Sequence, residues 1–177
     1  MKQNKLYFMY ILKFEVRGVC MEITIVKGSM DYINDCEDAL VNSELGIRYF
    51  SEKGSARKAL EEGFAKEEIY IAIDNSHNCR GFMWFIIGGM FHSFPYLHIV
   101  AVKKESRKHG IGKKLLKFFE DICFKDYTKL FLVVADFNPD AKVLYERIGY
   151  IEVSAIPNLY REGITEYLMM KVREEKR

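Results

Sequence analysis

Arg107-Lys108-His109-Gly110-Ile111-Gly112 sets two glycines, one residue apart, among cationic side chains, and Lys113 and Lys114 follow directly. The chemistry this composition suits is phosphate binding. Glycine has no Cβ, so the backbone at Gly110 and Gly112 can bend sharply and lie against a ligand. The first amides of a following helix lack partners within it, and the helix dipole adds partial positive charge there. Spacing excludes two common nucleotide motifs. A P-loop ending at Gly112-Lys113 would need a glycine at Arg107 and a hydroxyl at Lys114. A dinucleotide fingerprint Gly-x-Gly-x-x-Gly starting at Gly110 fails at Leu115.

A second segment with chemical content is Asn138-Pro139-Asp140-Ala141-Lys142-Val143-Leu144-Tyr145-Glu146-Arg147-Ile148-Gly149-Tyr150. Asn138 offers a helix cap and Pro139 a first helical residue with preset φ. Ala141, Leu144, Tyr145 and Ile148 then fall on one face, and Gly149 fits the stop. Tyr145 is thereby an amphipathic-helix phenol, either a core filler with its hydroxyl tied off or a proton donor.

The elements that must position these residues are legible around them. Tyr96-Leu97-His98-Ile99-Val100-Ala101-Val102 reads as a strand bounded by Pro95 and Lys103-Lys104. Ile111, Leu115, Phe118, Phe119 and Ile122 mark the inner face of the helix after the glycines. Lys129-Leu130-Phe131-Leu132-Val133-Val134 reads as a buried strand. Upstream, residues 21–27 alternate as a strand, residues 29–41 form a helix with Ile33, Cys36 and Leu40 inward, and a polar stretch over 42–55 leads to a second helix through Leu60 and Phe64. Residues 69–73 and 81–87 pair as a hairpin, Gly88-Gly89 and Phe94-Pro95 mark the next connection, and strands near 150–155 and 165–172 close the chain. Strands grouped in hairpins with interspersed helices predict a mixed α/β sheet, not a doubly wound one.

The pattern [Arg/Gln]-x-x-Gly-x-[Gly/Ala] at 107–112, a strand, and then Asn-x-x-Ala-x-x-Leu-Tyr-x-x-x-Gly-[Phe/Tyr] at 138–150 resembles the GNAT superfamily of N-acetyltransferases, from about Met21 to the C-terminus. The resemblance implies an α/β GNAT fold: a mostly antiparallel sheet of about seven strands, flanking helices, and a parallel pair that splays to admit pantetheine. It implies acetyl-CoA as cosubstrate and direct acetyl transfer to a primary amine. Its pyrophosphate loop would be Arg107, Lys108, His109, Gly110, Ile111, Gly112 and Lys113, with His109 acting through its amide and Arg107 by holding the loop. The backbone of Val100, Ala101 and Val102 would pair with pantetheine. Tyr145 matches the general acid beside the CoA sulfur, and Asn138 the pantetheine contact, a role that competes with capping.

Leu97-His98-x-x-Ala101-Val102 is similar to the strand of the serotonin N-acetyltransferase branch in which the matched His helps to deprotonate the amine; a buried His bonded to a carbonyl is the alternative. Two residues earlier, where Glu is common in the family, stands Tyr96. The acceptor is expected against Tyr49, Phe50 and Tyr160, in the first helix connection and the last hairpin. The acidic stretch Asp31, Asp35, Glu37, Asp38, Glu44 either draws a cationic amine or is a solvated helix face. The expected acceptor is a small molecule; a protein or peptide amine and a non-catalytic CoA-binding sensor are the alternatives. A homodimer is common in the family.

Composition sets the outer bounds. The 177 residues suit one domain, and 49% apolar content is globular. A formal charge of +2 argues for neither nucleic acid nor an anionic membrane as partner. Cys20, Cys36, Cys79 and Cys123 have neither disulfide-framework nor zinc spacing, and the four His are dispersed, so reduced thiols, no metal and a cytoplasmic location are expected. Residues 1–20 read as an N-terminal extension upstream of a domain over 21–177. Their apolar run, Leu6 to Leu12, is too short to span a bilayer and Val19-Cys20 is a poor cleavage site. Met21 then reads as the biological start, which a native peptide spanning Val19 to Glu22 would overturn.

Overall fold

The computed structural model describes residues 11–16 and 19–174, with side chains from 22 onward. Eight strands follow the order β1-β2-β3-β4-β5-β6-β8-β7. The chain forms two compact units, the first up to Met83 together with Val100–Phe118, the second Trp84–Ile99 together with the chain from Phe119.

In the first unit, β1 (Ile11–Val16) pairs antiparallel with β2 (Val19–Lys27), from Ile11↔Thr24 to Val16↔Val19. β2 pairs antiparallel with β3 (Ile69–Ile73) from Thr24↔Ile73 to Lys27↔Tyr70. Alternation places Ile23 and Ile25 in the core with Ile69, Ile71 and Ile73. A 3-10 turn, Met30–Tyr32, precedes α1 (Ile33–Val41), whose predicted inward residues Ile33, Cys36 and Leu40 are all buried. The stretch over 42–55 is not wholly irregular as expected, because it contains a short helix, α2 (Glu44–Tyr49). Ser43 caps it, its Oγ accepting from the Gly46 amide at 3.0 Å. Gly46, which reads as a breaker, is required there: a Cβ would lie 1.9 Å from the Leu40 carbonyl oxygen. α3 (Ser55–Ala65) buries Ala56, Leu60 and Phe64.

β4 (Cys79–Met90) and β5 (Phe94–Val102) contribute to both units, as does α4 (Ile111–Cys123). β4 is longer than expected and absorbs Gly88-Gly89, so those glycines do not make the connection. Phe91 and His92 make it, with φ of 52° and 54°, and the Ser93 amide donates to the Met90 carbonyl at 3.1 Å. Left-handed backbone at both central residues is what a two-residue hairpin turn of matching twist needs.

The second unit carries β6 (Lys129–Ala135), α5 (Pro139–Arg147), β7 (Ile151–Pro157) and β8 (Thr165–Val172). β6 and β8 pair antiparallel along their whole length, Lys129↔Val172 to Ala135↔Glu166, and β7 borders β8 with an irregularity at Glu152/Ser154. The parallel pair is short: Tyr96 meets Phe131 and Leu97 meets Leu132, while β6 runs on to Ala135 against β8. Tyr96, Phe131 and Leu168 form a buried cluster on one sheet face.

Candidate active site

The loop after β5 belongs to the first unit. Lys104–Ser106 make a 3-10 turn with Ser106 buried, and Arg107 leaves it extended. Lys108 and Gly110 then take φ of 65° and 79°, turning the chain into α4, whose first helical bond runs from the Lys114 amide to the Gly110 carbonyl at 3.1 Å. The amides of Ile111, Gly112 and Lys113 precede that bond, the arrangement that receives an anion. A Cβ on Gly110 would meet nothing within 4 Å, so protein packing does not demand glycine there; the left-handed backbone does. Lys108 holds the same conformation with a side chain, strain of the kind that collects at ligand loops.

The four cations of this segment divide into two kinds. Arg107 donates from Nε to the Val102 carbonyl at 3.0 Å and from Nη2 to the Asn42 carbonyl at 2.7 Å, so its guanidinium braces the loop. Lys114 turns back to donate to the Ile23 carbonyl at 3.0 Å, and burial lowers its pKa to about 8 against the opposing charge of Glu22. Lys108 and Lys113 are exposed, and His109 is half-buried. Upstream of the loop, Val100 and Val102 are half-buried and Ala101 is buried. Gly81 lies so close that a Cβ there would stand 2.7 Å from the Ala101 oxygen.

The acidic stretch is largely committed within the same unit. Asp35 and Asp38 pair with Lys103, at 2.5 and 3.9 Å, and Glu37 pairs with Arg57 at 2.8 Å. Of the two alternatives, a helix face neutralised by its own neighbours describes it. Tyr49 ends α2 and Phe50 caps it, both half-buried, with the Phe50 amide donating to the Gly46 carbonyl.

In the second unit, Asn138 holds the N-cap position of α5 but its side chain makes no capping bond, so its amide is not spent on the helix. Lys142 anchors α5 through Glu146 at 3.3 Å and Glu152 at 2.9 Å, and stands 4.6 Å above the Tyr167 ring. Tyr145 is buried, edge to face with Tyr150 at 5.9 Å between centroids. Burial alone pushes its phenol up to about 12, which keeps it protonated throughout the neutral range.

The structure brings Tyr145, Tyr96, His98 and Tyr160 into this one unit. His98 is exposed, not part of the buried core, and sits edge-on to Trp84 with ring centroids 4.6 Å apart. Tyr96 lies 6.0 Å from His98 between centroids, and its hydroxyl is 3.3 Å from that of Tyr160. Burial first, then Tyr160, holds the Tyr96 phenol far above its ordinary value, and the charge of Glu166 adds to the effect. Tyr160, between β7 and β8, is 54% exposed.

Two features escape a reading by motif: the Lys103–Asp35 pair and Glu166, a carboxylate 2% exposed within β8. The signal for Glu166 was its inward position in the alternation of Thr165-Glu166-Tyr167-Leu168. Among the described residues no group of side chains has the makings of a metal site, and no helix is long and apolar enough to cross a membrane.

The model of the acetyltransferase (GNAT) family matches residues 38–150. An uncharacterized N-acetyltransferase of Methanocaldococcus jannaschii is 35% identical over 89 residues, covering 49% of this chain and 57% of that protein. The S-(2-succino)cysteine N-acetyltransferase of Bacillus subtilis is 32% identical over 87 residues, covering 48% and 52%. The chain thus spans about half the length of the curated relatives it matches. A GNAT-family acetyltransferase structure from Bacillus cereus superimposes with a TM-score of 0.69 at 16% identity, covering 86% of this chain and 99% of that one, a likeness of fold.

Proposed function

The chain belongs to the acetyltransferase (GNAT) family, and from that premise we propose that it transfers the acetyl group of acetyl-CoA directly to a primary amine of a small molecule. The observation that carries the reading is the loop over 107–112: a left-handed turn braced from behind by Arg107, opening a 13-residue helix with its first amides forward. In this reading those amides take the CoA pyrophosphate, Lys108 and Lys113 supply screened charge, and the main chain at Val100 and Val102 pairs with pantetheine. Asn138, its side chain not spent on capping, contacts the same arm.

A neutral amine nitrogen attacks the thioester carbonyl, the C–S bond breaks, and the thiolate leaves. Tyr145 serves the leaving sulfur. A phenol held near 12 is a weaker acid than a thiol of about 8.5. It therefore stabilises the thiolate by donating a hydrogen bond, and any proton it gives is replaced by the surplus proton of the new amide nitrogen. His98, exposed on β5, accepts the acceptor's proton or passes it to water. Tyr49, Phe50 and Tyr160 contact the acceptor. The hydroxyl of Tyr160, turned onto that of Tyr96, supports a small acceptor over an extended peptide. A cytoplasmic location goes with the cosubstrate and with the free, buried thiols of Cys36, Cys79 and Cys123.

The test is thiol release from acetyl-CoA across a panel of primary amines and peptides. Amine-dependent release with one acetyl group gained by the amine is expected. Tight CoA binding without turnover on any of them would instead make the chain a CoA-binding sensor.

A further inference from the structure

Within the first unit, the segment that carries the phosphate loop is fastened to α1 at two places, about two helical turns apart. Near the start of α1, Asp35 takes the ammonium of Lys103 at 2.5 Å, and Asp38 stands 3.9 Å from the same nitrogen. At the far end the Arg107 guanidinium bridges two main-chain carbonyls, Nε to Val102 at 3.0 Å and Nη2 to Asn42 at 2.7 Å. Asn42 closes α1, and Ser43, next to it, caps α2. The junction between them is tightly tied. The Asn42 side chain donates to the Asp38 carbonyl and carboxylate, both at 2.9 Å. The Ser43 hydroxyl donates to the Leu40 carbonyl at 2.6 Å and accepts from the Gly46 amide at 3.0 Å. Gly46 passes Leu40 too closely for any Cβ. α1 and α2 are therefore one body at Asn42, and α2 ends in Tyr49 and Phe50. Arg107 belongs to both sides: its main chain enters the loop and its side chain holds the junction. A guanidinium is a planar fork, so it fixes the separation of the two carbonyls it joins.

We propose that Arg107 is a positioning residue through which an occupied phosphate loop tightens the α1–α2 junction, so that acetyl-CoA raises the affinity of the Tyr49–Phe50 wall for the acceptor. The inference rests on the acetyltransferase reading above and adds a coupling between its two binding sites. An anion on the loop restrains the main chain over 107–113, where Lys108 and Gly110 hold left-handed backbone. That restraint passes through one side chain to Asn42. The acceptor then meets a wall whose ordering cost has already been met. Linkage makes the coupling reciprocal, so the acceptor raises acetyl-CoA affinity by the same factor.

Hydrogen exchange of the full chain, with and without saturating CoA, reads the coupling at the amides of Gly46, Ile47 and Phe50, which are bonded within α2 and its cap. In the wild type, CoA should slow their exchange by about fivefold or more. Arg107→Met, saturated with CoA as judged by calorimetry, should show a change of less than about twofold. Arg107→Lys, which keeps the charge but not the fork, should resemble it. Arg57→Met deletes another cationic contact to α1, the pair with Glu37 at 2.8 Å, and should keep the wild-type response. General loosening of α1 therefore cannot imitate the effect. Unchanged exchange over 43–50 in CoA-bound wild type, or a full response in either Arg107 variant, overturns the assignment and leaves the enzyme reading standing. A wild type that does not bind CoA overturns the enzyme reading and the assignment with it.

Discussion

Around residues 107–112 the side chains serve the protein: Arg107 binds two backbone carbonyls, Lys114 a third, and what remains for a ligand is main chain held in a left-handed turn. Around Tyr145 the allocation is reversed. The backbone there is spent in α5 and in the β6–β8 ladder, and the groups with chemistry to offer are side chains: Tyr145, Tyr96, His98 and Tyr160. The difference teaches where each region is vulnerable. A surface built of amides survives the loss of a side chain and fails when a dihedral angle changes. A cluster built of phenols keeps its shape and loses its chemistry with one oxygen.

The sharpest way to break that contrast is Tyr145→Phe, which keeps the ring in its place beside Tyr150. Turnover should fall by about two to four orders of magnitude, measured by single-turnover acetyl transfer so that product release cannot mask chemistry. An acid is lost as pH rises through its pKa. With the phenol near 12, the wild type should show no loss of activity from Tyr145 ionisation across the neutral and mildly alkaline range. Wild-type single-turnover speed in the Phe variant would return Tyr145 to the core.

Next in size is Gly110→Val. The added Cβ meets no protein atom within 4 Å, so the fold should survive, at a cost of about 1–2 kcal/mol for a branched side chain in left-handed backbone. Acetyl-CoA affinity should drop by at least about a hundredfold, because the side chain occupies the approach of the ligand to the amides. Calorimetric binding at wild-type strength would show that the loop is not the phosphate site.

His98→Gln should lower turnover by about tenfold or more at pH values where an imidazole is neutral and able to accept a proton. Acetyl-CoA affinity should hold. If His98 is the base, the acidic limb of the pH–rate profile moves or disappears. An unchanged limb leaves water as the proton acceptor. The smallest effect is expected of Lys113→Ala, about two- to threefold in acetyl-CoA affinity, since an exposed lysine at a helix start adds only screened charge. A loss as large as that of Gly110→Val would mean that side chains carry the first region too.

How much of this could be read from the chain follows from the same division. The loop and α5 were legible because their motifs are local: two glycines behind a strand, and an Asn-Pro start with a glycine stop. The inward faces of α1 and α4 followed from apolar spacing, as Ile33, Cys36 and Leu40, or Leu115 and Phe119, attest. α2 was hidden because Gly46, needed for the close pass by Leu40, reads as a break. The β4–β5 turn was misplaced because Phe91-His92 adopts left-handed backbone without a glycine, while Gly88-Gly89 lies inside the strand. The Lys103–Asp35 pair joins residues distant in sequence, which no local spacing announces.

Titration of acetyl-CoA into Tyr145→Phe by calorimetry tests the separation of holding from chemistry most directly. Affinity within about twofold of wild type, in a variant whose turnover has collapsed, is the predicted result. Affinity falling in step with turnover would contradict it, making Tyr145 part of what holds the cosubstrate and not the group that serves its leaving sulfur.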